Sequence, residues 1–214
     1  MKHPISEWGL LLRRSLLLTA LTGCALTSKA APLMPRYFSP ELGQEGPSRS
    51  SANAGLELRL GRIEASAHLE QRLAYRSNES ELGYYDDWRW TQPPEAYLSR
   101  ALAQQLFERG DLVHVVSGSA PTLDAELSSF EEIRSGAPRA RVELRLTLRD
   151  ERRTLLERTL RIERAIAPGA TEDAPLRLTR ALSAALEEAV AKLAELVTAE
   201  LGRARSDEKL PRAD

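Results

Sequence analysis

The stretch that most constrains the fold runs from Val142 to Ile162. Val142, Leu144, Leu146 and Leu148 alternate with Glu143, Arg145, Thr147 and Arg149, and a period of two puts the aliphatics on one face of an extended strand and the polar set on the other. Asp150-Glu151-Arg152-Arg153 is a polar turn, after which Leu156 to Ile162 returns as the second arm of a hairpin. The outer faces of the two arms carry opposite charges, which suits cross-strand pairing. A sheet with one apolar face needs a second layer to cover it. The cover is a long amphipathic helix from about Pro175 to Arg203, with Leu178, Leu182, Leu186, Ala189, Leu193, Leu196, Val197 and Leu201 in one stripe. At 1.5 Å per residue it reaches roughly 45 Å, more than a small sheet requires.

The rest of the chain supplies further strands and one more helix. Leu56-Glu57-Leu58-Arg59-Leu60 alternates strictly, and Leu123 to Leu127 does so again. Two extended segments, Leu73 to Ser77 and Gly83 to Trp90, flank the polar turn Asn78-Glu79-Ser80-Glu81, and Leu112 to Val116 reads as a short strand. Pro93-Pro94 fits the first turn of a helix, where the missing amide protons cost little; Leu98, Ala101, Leu102 and Leu106 follow at helical spacing and Gly110 stops it. The expected fold is α+β, a two-layer sandwich of a mixed or antiparallel sheet with two main helices, the longer at the C-terminus. Residues 55–205 form the domain, and the charged residues 206–214 form a disordered tail.

Ahead of the domain, Lys2, Arg13 and Arg14 precede an apolar run from Ser15 to Leu21, the layout of an export leader. No stretch approaches the roughly 20 apolar residues of a permanent transmembrane helix. Leu21-Thr22-Gly23-Cys24 resembles the bacterial lipobox, in which the cysteine thiol is acylated and the chain is cut just before it. The other reading is a conventional signal peptide that contains a cysteine. The lipobox accounts better for the only cysteine in the chain, which would otherwise be an unpaired thiol in an oxidising compartment. Residues 1–23 are then the leader, Cys24 the lipidation site, and 24–54, rich in Pro, Ser and Gly, a tether with one short extended piece at Arg36-Tyr37-Phe38-Ser39. Ala25, where an aspartate would signal inner-membrane retention, favours the outer membrane.

Charge narrows the partners. Thirty basic and 31 acidic side chains give −1. Removing residues 1–23 takes away Lys2, Arg13, Arg14 and Glu7, which leaves 27 basic and 30 acidic, near −3. No basic field exists to hold a phosphate backbone, so nucleic acid is not expected, and membrane proximity comes from the anchor rather than from adhesion to anionic lipid. One cysteine and three histidines cannot build a Cys/His metal site or an internal disulfide. His68 and His114 lack metal-spaced partners, and there is no nucleotide loop or nucleophile elbow. No catalytic residue, metal or cofactor is assigned.

An aromatic cluster stands out. Ten of the 11 aromatic residues follow Cys24, and six of them, Tyr75, Tyr84, Tyr85, Trp88, Trp90 and Tyr97, lie within 23 residues. In a regular strand Tyr84, Trp88 and Trp90 would share one face and Tyr85, Asp87 and Arg89 the other. Such residues either anchor an irregular segment onto the sheet or form a binding surface, for which Tyr, Trp and Arg are the enriched types. The candidate partner-binding set is Tyr84, Tyr85, Trp88, Arg89 and Trp90.

Arg36-Tyr37-Phe38-Ser39-Pro40 soon after a lipobox, Ala67-His68-Leu69 through Leu73-Ala74-Tyr75-Arg76, then Gly83-Tyr84-Tyr85-Asp86-Asp87-Trp88-Arg89-Trp90 followed by Pro93-Pro94, resemble the ABC-type transport auxiliary lipoprotein family. The resemblance continues through Thr122 to Leu127 and the hairpin to the final helix; the Ser/Gly-rich gap before Leu56 departs from it. It implies a non-enzymatic, non-ATPase lipoprotein of the periplasm, working with an MCE-domain protein and an ABC permease and ATPase that move phospholipids or other hydrophobic molecules between the inner and outer membranes, as in Mla-like and paraquat-inducible systems. A homo-oligomer is left open. The competing class is an envelope lipoprotein that serves as an assembly or cell-wall adaptor for another partner.

Overall fold

The computed structural model describes residues 34–43, 55–169 and 173–209. The leader, Cys24, most of the tether and the last five residues lie outside them. Eight strands form one mixed sheet: β1 (Arg36–Phe38), β2 (Glu57–Ala65), β3 (Arg72–Asn78), β4 (Glu81–Trp90), β5 (Val113–His114), β6 (Thr122–Ile133), β7 (Arg139–Arg149) and β8 (Thr154–Ala165). Helix α1 (Pro94–Ala103) continues into a π-helical turn, Gln104–Glu108, and α2 (Ala174–Lys209) closes the chain.

Strand β6 organises the sheet. Its whole length pairs antiparallel with β7, from Thr122↔Arg149 to Ile133↔Arg139, and β7 pairs with β8. The other edge of β6 is shared. Its first half takes β2 in parallel, Arg59↔Thr122 to Ala65↔Leu127, and its last residues take β3 in parallel, Ala74↔Glu131 to Arg76↔Ile133. Beyond β2 lies β5; beyond β3 lie β4 and then β1. The expected extended piece at Arg36 is therefore an edge strand of the sheet itself.

The alternation of β7 is realised as read: Val142, Leu144, Leu146 and Leu148 are all buried. They pack beneath Leu178, Leu182, Leu186, Leu193 and Val197 of α2 in one core. On the uncovered face Glu143 pairs with Arg161 at 2.6 Å, and Glu163 takes both Arg139 at 2.6 Å and Arg141 at 2.7 Å, the expected cross-strand complementarity. Asp150 closes the β7–β8 turn by accepting the Arg152 and Arg153 amides, each at 2.7 Å.

Helix α2 runs six residues past the expected stop at Arg203. Arg203 pairs with Glu200, and the Ser206 hydroxyl donates to the Gly202 carbonyl; Pro211 is the first helix-breaking residue beyond. At its N-terminus Asp173 pairs with Arg36 of β1. The segment after β1 then follows α2, with the Glu41 amide donating to Ser183 Oγ at 3.1 Å and the Gly43 amide to Glu187. Gln104 of the π-helical turn and Arg109 just after it donate to the Gly43 carbonyl.

Candidate functional site

The aromatic segment is not a regular strand. Arg72 pairs with Arg89 and Ala74 with Tyr84, so Tyr85, Asp86, Asp87 and Trp88 all stand opposite the single residue Leu73. A bulge of this size bends the strand and changes the face each side chain takes. Arg89 holds it. Its guanidinium donates to the carbonyls of Tyr85 at 3.1 Å, Trp88 at 3.0 Å and Asp86 at 2.8 Å, all three inside the stretch where the β3–β4 ladder is interrupted.

The bulge overturns the expected division of faces. Tyr84 is level with Ala74 and Glu131 on the face away from the helices. There its hydroxyl donates to the His68 carbonyl at 2.7 Å, and Arg72 lies 4.8 Å from its ring centroid. Tyr85 and Trp88 turn to the helix side and stack, with centroids 3.6 Å apart and planes 17° from parallel. Trp90 is 1% exposed, at 6.0 Å from Tyr97 and 4.9 Å from Phe130. It is a core residue and cannot meet a partner in the folded state, so the candidate set loses Trp90. Arg89 is occupied by the bulge, and Tyr84 lies on the opposite face from Tyr85 and Trp88.

What assembles instead is a half-buried platform. Phe38 meets Trp88 edge-on at 6.4 Å, Trp88 stacks on Tyr85, and Tyr85 meets Tyr75 edge-on at 5.2 Å. Arg134 lies 3.5 Å from the Tyr75 centroid and 4.8 Å from that of Tyr85, a cation–π contact with two rings. Glu132 accepts from the Tyr85 hydroxyl and, at 3.1 Å, from Arg134 Nε. Burial first, then the bond to Glu132, pushes the Tyr85 phenol well above its ordinary range, so it stays a neutral donor at physiological pH. Gly83 makes the close packing possible: a Cβ there would sit 2.5 Å from the Tyr75 ring.

Sequence reasoning missed Arg134 and Glu132. They look like ordinary solvated charges beyond an apolar run, and only the parallel pairing Tyr75↔Glu132 brings them to the aromatics. Tyr75 was legible as part of the cluster but not as a member of the platform.

A groove of about 660 Å³ on the uncovered face of the sheet is lined by Gly61, Arg62, Asp124, Glu126, Arg145 and Arg149. Asp124 pairs with Arg149 at 3.0 Å and Glu126 with Arg145 at 3.9 Å. Burial raises the Asp124 carboxyl, but the Arg62 amide and Arg149 outweigh it and hold the group below the usual carboxylate range, the reverse of what a general acid at neutral pH needs. His114 stacks on Phe107 at 4.5 Å. Among the described residues no group of three or more His, Cys, Asp or Glu is placed to hold a metal, and no helix is long and apolar enough to cross a membrane.

Comparison with known proteins decides the family. The model of the ABC-type transport auxiliary lipoprotein component matches residues 41–195, from the segment after β1 to well within α2. The chain belongs to this family. The expected α+β architecture is the one observed, and the auxiliary lipoprotein is a transport component rather than a member of a known enzyme family. Protein XCC0632 from Xanthomonas campestris has a similar fold, with a TM-score of 0.67 at 20% identity over 80% of this chain and 99% of that one. An uncharacterized protein of known structure is also similar, with a TM-score of 0.58 at 14% identity over 77% and 99%. No curated protein matches the sequence.

Proposed function

We propose that this auxiliary lipoprotein is the lipid-anchored, non-ATPase subunit of an MCE-type ABC system that moves phospholipids or other hydrophobic molecules across the periplasm. The observation that carries the reading is the family match across residues 41–195. An anchor at Cys24, with Ala25 after it, supports a place on the periplasmic face of the outer membrane. The Tyr85–Trp88 stack with Tyr75 and Arg134 is the surface offered to the MCE-domain protein: aromatics and arginine around a half-buried centre are the residue types that dominate interface energetics. No cofactor takes part. Affinity capture of the full-length protein from detergent-solubilised envelopes, read by mass spectrometry, tests the assignment. Recovery of an MCE-domain protein with its permease and ATPase is expected; recovery of an outer-membrane assembly or cell-wall synthesis complex in their place would overturn it.

A further inference from the structure

Among the described strands, β8 presents the longest edge without a neighbour. It pairs only with β7, from Thr154 to Ala165, while β1 and β5 on the far side of the sheet have three and two residues. Short strands and bulges blunt an edge, and β2 and β4, which β5 and β1 cover in part, are both interrupted by register shifts. The β7–β8 ladder shifts once, at its Arg149 end, and is regular from Leu156 to Ala165. The Ile166 amide donates to the Pro138 carbonyl at 3.1 Å. By antiparallel alternation the even-numbered residues of β8 therefore bond to β7, and the main-chain groups of Glu157, Thr159, Arg161 and Glu163 point outward. Arg158 reaches over this edge, its guanidinium donating to the Glu157 carbonyl at 3.1 Å.

The charges along β8 decide what fits the edge. A two-fold axis normal to the sheet sets β8 antiparallel to the β8 of a second copy, with opposed residues on the same face. Centred on Glu157, Arg158 or Arg161, a charge would meet its own copy; centred on Leu160, each Glu157 would meet a Glu163. Like charges directly opposite destabilise a strand pair. Centred on Ile162, Arg161 would meet Glu163, but within the subunit these already hold Glu143 and the two arginines Arg139 and Arg141. Centred on Thr159, each Glu157 opposes an Arg161, each Leu156 opposes an Ile162, and no like charges are opposed. Among the described residues Glu157 has no ion pair of its own, and the Arg161 side chain is still 59% exposed beside Glu143. Leu156 and Leu160, half-buried on the helix side, gain cover from Ile162 and the aliphatic stem of Arg158. The Glu157 carbonyl exchanges the Arg158 guanidinium for the Arg161 amide of the second copy. Such self-complementarity about an axis marks an isologous contact, and it uses up both free edges at once.

We propose that β8 is a self-association edge, at which two copies of the chain join by antiparallel pairing about Thr159 and continue one sheet across the dimer. The pairing does not depend on the transporter assignment. Sedimentation of the full-length protein in detergent should show a dimer at micromolar concentration. Glu157→Arg sets arginines opposite one another and Arg161→Glu sets glutamates opposite, so each variant alone should dimerise at least about tenfold more weakly, with circular dichroism reporting that it is folded. Mixed in equal amounts, the two variants form a heterodimer in which both opposed pairs again carry opposite charges, and dimerisation should recover. Thr159→Cys chains in phosphatidylethanolamine and phosphatidylglycerol vesicles should crosslink to dimers under mild oxidation, with the wild-type chain, whose only cysteine is Cys24, as the control. A monomeric wild type, dimers that the single charge variants leave unchanged, or no recovery on mixing would overturn the proposal. So would Thr159→Cys chains that crosslink no more than wild type, a readout that holds even where a charge variant fails to fold.

Discussion

Truncating the two tryptophans of β4 separates a core from a contact. Trp90 is 1% exposed and packs on Tyr97 and Phe130, so Trp90→Ala should cost about 3–5 kcal/mol through lost burial and a cavity. In a domain of this size, 1 kcal/mol moves Tm by about 2–4 °C, which gives a fall of roughly 6–20 °C. Trp88 is half-buried between Phe38 and Tyr85. Burying about 100 Å² of it at 25 cal/mol/Å² is worth at most about 2.5 kcal/mol, so Trp88→Ala should lower Tm by less, at most about 5–10 °C. The order reverses for binding. In protein still folded at 25 °C, Trp88→Ala should weaken capture of the MCE partner at least tenfold, about 1.4 kcal/mol, while Trp90→Ala should bind normally wherever it remains folded. Thermal melts and partner titrations on the same purified variants give both quantities. Equal Tm losses would show that the bulge does not divide the two rings as described, and unchanged affinity in folded Trp88→Ala would take the platform out of partner recognition.

Arg89→Lys should fail to replace the guanidinium, because an ammonium cannot span three carbonyls; a loss of about 1–2 kcal/mol in denaturant titrations is expected, and wild-type stability would refute the capping role. Burial raises the carboxyls of Glu143 and Glu163, but bonds from Arg161 and Ser128 to the first and from Arg141 and Arg139 to the second leave both below their ordinary range. The stability they contribute is complete above the unfolded glutamate value of about 4.3 and is lost as pH falls through their lower folded values; Glu143→Gln with Glu163→Gln should flatten the fall of Tm between about pH 5 and 3, and an unaltered slope would count against these pairs. Cys24→Ser should accumulate as an unprocessed precursor on intact mass; cleavage at the normal position without acylation would defeat the lipobox.

Legibility in the sequence depends on whether a strand keeps its period. β7 does so for its whole length, and its apolar set, its turn and its helical cover all follow from the local pattern of residues. β6 does not. The register shifts between Leu127 and Ser129, so Leu127 and Phe130, three apart, are both in the core, and a reading by alternation stops at Leu127 although the strand runs to Ile133. The same shift lets Glu131 be buried at 1% exposed, against Arg76 at 2.9 Å and Ser129 at 3.1 Å. A carboxylate in an apolar strand is tolerable only when paired in this way, and that partner comes from another strand 55 residues away. Parallel pairing of β2 and β3 along one edge of β6 leaves no local mark at all.

The two bulges together account for where the platform lies. The first, in β6, turns Phe130 and Glu132 to the helix side, and the second, in β4, turns Tyr85 and Trp88 to the same side. Without either shift the rings and the Glu132–Arg134 pair would face opposite ways across the sheet. The β6 shift also brings Phe130 into the core beside Leu127, whereas the β4 bulge sets four residues opposite one and needs Arg89 as a clamp. Irregularities of this kind characteristically re-aim side chains near working surfaces. The cost of holding four residues opposite one is met locally by the three hydrogen bonds of Arg89, so the same residue that closes the bulge keeps Tyr85 and Trp88 stacked on the helix side.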